Sequence, residues 1–205
     1  MLNLRVRPAV AVVVDPVAGA LLRVGVSPDA VTLTGTLGVV VGSLVLFPRG
    51  SFLLGTIVVV VSVLTDLLDG AMARRRGTSS AFGAWLDSTC DRVADAAIFS
   101  GLVLWYAGNG DSTLLLAVSL FCLVSGAVVS YEKARAEGLG LRCDVGLAER
   151  AERLILVLAG TALAGFGLDL ALPVLLWVLA AASAVTVVQR LLEVRRQAAR
   201  AAQVR

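Results

Sequence analysis

The chain has 205 residues, 58% of them hydrophobic and 16% charged, with a mean hydropathy of +0.90 and a formal charge of +3. This is the composition of an integral membrane protein, and the absence of histidine excludes histidine-ligated zinc sites and catalysis built on imidazole. The cysteines Cys90, Cys122 and Cys143 show neither disulfide nor metal spacing and read as small buried residues or a free thiol.

Residues 1–25 carry Arg5, Arg7 and Arg23 around an apolar stretch interrupted by Asp15-Pro16. The interruption argues against a signal peptide and for an amphipathic helix lying along the membrane surface, bent near Pro16. Ser27-Pro28-Asp29 then starts a helix: an N-cap, a proline at the first helical position and an acid in the first turn. Asp29 and Thr32 share a face at that entrance, where Asp29 can serve the helix start or a ligand. Six apolar segments follow, at about 28–47, 52–73, 80–106, 113–134, 152–166 (with a start as early as Leu147) and 170–194. Each approaches the roughly 20 residues needed to cross hydrocarbon, so the expected fold is all-α: six transmembrane helices plus an N-terminal amphipathic surface helix, in a single membrane domain over 1–205. Within it, 1–25 is juxtamembrane and 28–200 forms the six-helix bundle.

Placing both termini and the connections at 74–80 and 133–153 on one side gathers there every Lys and Arg except Arg49, counting Arg92 and Arg190 as near-end positions. By the positive-inside rule that side is cytoplasmic.

The second and third segments contain Asp66-x-x-Asp69-Gly70-x-x-Ala73-Arg74 and then Gly83-x-x-x-Asp87-x-x-x-Asp91. Spacings of i,i+3 and i,i+4 put each pair of carboxylates on one helical face, and two such helices side by side would make a four-carboxylate pocket. At about 1.5 Å per residue, both pairs lie roughly 7 to 10 Å below the cytoplasmic surface. A carboxylate in hydrocarbon costs about 2.5–3.5 kcal/mol even on a lenient scale, so the cluster must face a cavity and carry function. Oxygen-only clusters suit hard divalent cations, and paired ions clamp both sides of a phosphoryl displacement. Gly70, Gly83 and Ala73 let a bulky ligand approach the backbone, and Arg74 is within reach of phosphate oxygens. The plain alternative is a set of buried salt bridges, Asp66 or Asp69 with Arg74 and Asp87 or Asp91 with Arg92. Asp95, one turn beyond Asp91, reads as a support for the cluster or, preferably, as a partner of Arg92.

Toward the cytoplasmic ends of the last three segments lie Ser130, Lys133, Arg153 and Arg190, placed deeply enough to line a cavity and suited to a phosphorylated acceptor. Arg135, Arg142, Arg195, Arg196 and Arg200 read instead as a snorkelling belt.

Through the eight positions from Asp66 to Asp91 the chain resembles the CDP-alcohol phosphotransferase family, whose motif it matches without a gap or a substitution. Ser27–Thr32, Lys133–Glu137 and Glu152-Arg153-Leu154 bring it nearest the actinobacterial branch that makes phosphatidylinositol phosphate. The resemblance implies six transmembrane helices, a surface N-terminal helix and a homodimer in the bacterial cell membrane, with the active site cytoplasmic. It implies transfer of the phosphatidyl group from CDP-diacylglycerol to inositol 1-phosphate, with release of CMP and no nucleic-acid partner. Carried over by position, Asp66, Asp69, Asp87 and Asp91 would bind two Mg²⁺ or Mn²⁺ ions, with Asp91 also the catalytic base. Asp29, Thr32, Gly70, Ala73, Arg74 and Gly83 would bind the CDP-lipid, and Ser130, Lys133, Arg153 and Arg190 the acceptor phosphate.

Glycerol 3-phosphate is the competing acceptor, since it too carries a phosphate. An intramembrane prenyltransferase shares paired aspartates but is longer and spaced differently. A divalent-cation or proton transporter would need polar groups continuing across the membrane, and beyond Asp95 the sequence is apolar.

Overall fold

The computed structural model describes residues 14–77 and 80–203. Seven α-helices are found among them: α1 (14–23), α2 Pro28–Val41, α3 Phe52–Arg76, α4 Ala81–Ala107, α5 Thr113–Glu137, α6 Arg150–Gly165 and α7 Ala171–Gln203. The helix boundaries follow local chemistry. Ser27, Ser80 and Ser112 accept hydrogen bonds from the backbone N–H groups of Ala30, Gly83 and Leu115, capping α2, α4 and α5. At the end of α3, Gly77 takes the left-handed conformation (φ 64°) that closes a helix after its basic last turn, Arg74-Arg75-Arg76. The start of α6 is held at Arg150, because the N–H groups of Leu147 and Ala148 both donate to Thr186 Oγ1 on α7 (3.0 Å each).

The helices close a ring in the order α2, α3, α6, α7, α5, α4 and back to α2. Its main core joins Val39, Phe47, Phe52, Val59, Ile98, Phe99, Leu102, Leu172, Leu176 and Leu179, all buried. Polar pins cross it, including a 2.6 Å bond between the hydroxyls of Thr56 on α3 and Thr161 on α6. After Val41 the chain widens into a π turn (Gly42–Leu46) and tightens into a 3₁₀ turn (Phe47–Arg49). There the Ser43 carbonyl presses on Gly101 of α4, a contact that leaves no room for a Cβ. Outward, large apolar side chains such as Leu37, Val61, Leu64, Leu114, Val124, Val174 and Val188 are exposed, the surface a helical protein presents to lipid.

Two expectations are corrected. Four helical stretches, not six, are long and apolar enough to cross a membrane among the described residues: Pro28–Arg49, Phe52–Arg76, Thr113–Glu137 and Ala171–Arg200. Helix α4 has the length, but Asp87, Asp91, Arg92 and Asp95 break its apolar run. Helix α6 has only 16 residues, about 24 Å at 1.5 Å each, and opens on Arg150, Glu152 and Arg153. Nor, among the described residues, is a separate amphipathic surface helix found. The described part of the N-terminal segment, α1, is packed into the protein: Ala18 is fully buried, and with Leu21 and Leu22 it sits against Val31, Ala71 and Met72. The remainder of the expected N-terminal helix, Arg5 and Arg7 included, lies outside the described residues.

Candidate active site

The ring order separates the two halves of the aspartate motif. Helices α3 and α4 both pack on α2 and do not form an extensive interface with one another among the described residues, contrary to the expected side-by-side pair. The four carboxylates nonetheless come to one level. Arg150, at the first turn of α6, reaches Asp91 of α4 at 2.5 Å and Asp66 of α3 at 3.7 Å. Asp87, the exposed member, repels Asp66, Asp69 and Asp91 electrostatically. Asp69 is buried and accepts a hydrogen bond from the hydroxyl of Thr32, which ties the α2 entrance to the cluster.

The remaining residues expected at the CDP-lipid fall into two groups. A Cβ on Gly83 would stand 3.9 Å from the Asp29 carboxylate, so the starts of α2 and α4 adjoin. The side chain of Arg74 folds back over Gly70, with its Nη1 3.3 Å from where a Cβ would be. Ala73 is half-buried beside it. The suggested pairing of Arg74 with Asp66 or Asp69 does not occur, whereas Arg92 does lie 3.7 Å from Asp91. Asp95 turns away from Arg92: it pairs with Arg153 and lies 3.7 Å from Arg150 Nε.

A cavity of about 620 Å³ opens beside the carboxylates, between α4, α5, α6 and α7. Its lining includes Asp91 together with all four expected acceptor residues, Ser130, Lys133, Arg153 and Arg190. Each is held by the fold. Arg153, 2% exposed, donates to the Gly126 carbonyl (3.0 Å) and to Asp95, and fits only because Gly126 has no side chain: a Cβ there would stand 2.6 Å from its Cζ. Arg190, equally buried, donates to the carbonyls of Val129 (2.5 Å) and Val145 (2.9 Å) and to Glu149 (2.9 Å). Ser130 accepts from Arg92 and donates to the Gly126 carbonyl (3.0 Å). Lys133 meets Asp144 of the α5–α6 connection at 2.9 Å, and its ammonium holds that exposed carboxyl below the usual carboxylate range.

Sequence reasoning left Arg92, Glu149 and Arg150 out of the site and preferred Arg92 as the partner of Asp95, yet all four line the cavity. The signal for Arg150 was its i,i+3 relation to Arg153, which puts both guanidiniums on one face of α6. No comparable signal marked Glu149, whose role comes from the approach of Arg190 on α7.

The chemistry of the donors suits a divalent cation: carboxylate oxygens only, mutually repelling, with the Arg150 and Arg92 guanidiniums drawn in against them. Among the described residues no three carboxylate or thiol groups already converge to enclose an ion. The cavity also holds buried polar atoms without hydrogen-bond partners, namely Arg92 Nε, Asp95 Oδ1, Arg150 Nε and Arg153 Nε. Such atoms are uncommon in a finished interior.

The chain is similar to known proteins over most of its length. Residues 25–189 match the family model for CDP-alcohol phosphatidyltransferases. The phosphatidylinositol phosphate synthase of Streptomyces avermitilis is 53% identical, over 98% of this chain and 85% of its own length. That of Mycobacterium tuberculosis strain H37Rv is 50% identical, over 90% of this chain and 87% of its own. The crystal structure of the M. tuberculosis enzyme with CDP-DAG bound superposes with a TM-score of 0.86 at 50% identity, covering 88% of this chain and 92% of that one. Its complex with manganese and citrate gives the same TM-score and identity, covering 88% of each chain.

Proposed function

The chain belongs to the CDP-alcohol phosphatidyltransferase family, a family of metal-dependent enzymes, and from that premise we propose that it transfers the phosphatidyl group of CDP-diacylglycerol to inositol 1-phosphate, releasing CMP. The observation that carries the reading is the shared cavity: Asp91 opens onto the space lined by Ser130, Lys133, Arg153 and Arg190. One carboxylate of the donor motif thereby faces a pocket built for a phosphate.

Asp66, Asp69, Asp87 and Asp91 would hold two Mg²⁺ or Mn²⁺ ions, which would supply charge neutralisation for the diphosphate and for the departing CMP. Thr32 orients the Asp69 carboxylate through their hydrogen bond. Gly70, Ala73 and Gly83 leave space for the nucleotide, with Asp29 and Thr32 at the cytidine end and Arg74 at a phosphate. On the acceptor side, Lys133, Arg153 and Arg190 hold the inositol phosphate with Ser130, so that its hydroxyl lies against Asp91. Asp91 accepts the proton as that hydroxyl attacks the lipid-bearing phosphorus and the bond to CMP breaks. A carboxylate is a weak base, so positioning and preset charge supply most of the acceleration. The basic residues around the cavity support an active site on the cytoplasmic side of a bacterial membrane.

The test is CMP release by the purified protein in detergent with CDP-diacylglycerol and Mg²⁺, offering inositol 1-phosphate, free inositol, glycerol 3-phosphate or serine. Release with inositol 1-phosphate alone is expected. Release with glycerol 3-phosphate instead would reassign the acceptor while leaving the chemistry in place.

A further inference from the structure

The two arginines at the start of α6 are held in different ways. Arg153 is 2% exposed and fixed by a backbone carbonyl and a buried carboxylate. Arg150 is about a quarter exposed and touches three carboxylates from two helices: Asp91 at 2.5 Å, Asp66 at 3.7 Å and Asp95 at 3.7 Å. Only the first distance is a close contact, and its buried Nε has no hydrogen-bond partner. Such a side chain is placed by charge more than by bonding geometry, and it already borders a cavity into which it can turn. Across the gap between α3 and α4 it is the cation that meets both helices of the motif, through Asp66 and Asp91.

We infer that Arg150 is a built-in counter-cation: it holds the two carboxylate helices together when no metal is bound, competes with the metal for Asp66 and Asp91, and turns into the cavity once metal arrives. This rests on the reading that the four aspartates are the metal ligands. The physical basis is simple. The carboxylates repel one another until a cation offsets their charge, and a guanidinium and a divalent ion that share the same carboxylates repel each other.

Mn²⁺ binding to the purified full chain in detergent, without either substrate, tests this, followed by the electron paramagnetic resonance signal of free Mn²⁺. Wild-type protein should bind Mn²⁺, and Asp69→Asn should weaken that binding, which establishes the site. Arg150→Gln should then bind Mn²⁺ about tenfold more tightly or better, with a metal-free melting temperature below wild type and a metal-loaded one near it. Arg150→Lys, whose point charge cannot fork between two carboxylates, should bind Mn²⁺ severalfold more tightly than wild type. Unchanged or weaker binding by folded Arg150→Gln overturns the inference while the metal site stands. If that variant cannot be purified folded, Arg150→Lys decides, and wild-type affinity there overturns it. If wild-type protein binds no Mn²⁺, or Asp69→Asn leaves binding untouched, the ligand assignment fails and the inference with it.

Discussion

The carboxylate cluster and the basic cavity beside it are built on opposite plans. The aspartates of α3 and α4 sit one or two to a turn on a motif of fixed spacing, but the fold leaves them apart, joined by Thr32 and by Arg150 of α6. The basic groups of α5, α6 and α7 have no motif, but packing fixes them, with Arg153 and Arg190 buried against the carbonyls of Gly126, Val129 and Val145. The first side is poised to be completed by a ligand, while the second is largely complete before one arrives. A site for a cation must tolerate repulsion until it is filled, whereas guanidiniums buried without partners would cost several kcal/mol each and must be satisfied in advance.

That contrast can be broken most severely at Asp91, which both sides share. Asp91→Asn should lower the rate of CMP release by about 10²–10⁴-fold, measured at saturating substrates. Next comes the rigidity of the basic side. Gly126→Ala drives a methyl into the Arg153 guanidinium and should cost about 1–3 kcal/mol of stability together with at least a tenfold loss in kcat/KM for the acceptor. Equal loss for CDP-diacylglycerol and acceptor would show that Arg153 supports the whole bundle and not the acceptor pocket. Lys133 is the loosest basic member, partnered only by exposed Asp144, so Lys133→Met should raise the acceptor KM about tenfold and leave that of CDP-diacylglycerol unchanged. The smallest effect belongs to Thr32→Val, which removes the hydroxyl from Asp69. A severalfold rise in the metal concentration for half-maximal rate is expected, and no change there would mean that Asp69 is oriented by other groups.

The carboxylate motif was legible because helical spacing converts directly into a shared face. The helix starts at Ser27 and Ser80, and the stop before Gly77, could be read for the same reason, since caps are local chemistry. The membrane class followed from composition. The span count did not, because hydropathy read segment by segment counted α4 and α6 as crossings, although charge interrupts one and length limits the other.

Sequence by itself therefore determined the helical class, the family motif and the four aspartates, all properties of short stretches with a fixed period. Only the tertiary structure decided that α2 stands between α3 and α4, that α1 packs inward through Ala18, that Asp95 belongs to Arg153 rather than to its neighbour Arg92, and that Arg150 bridges the motif. These are contacts between helices distant in the chain. Their partners are chosen by ring closure and by the need to pair buried charge, which no local spacing encodes.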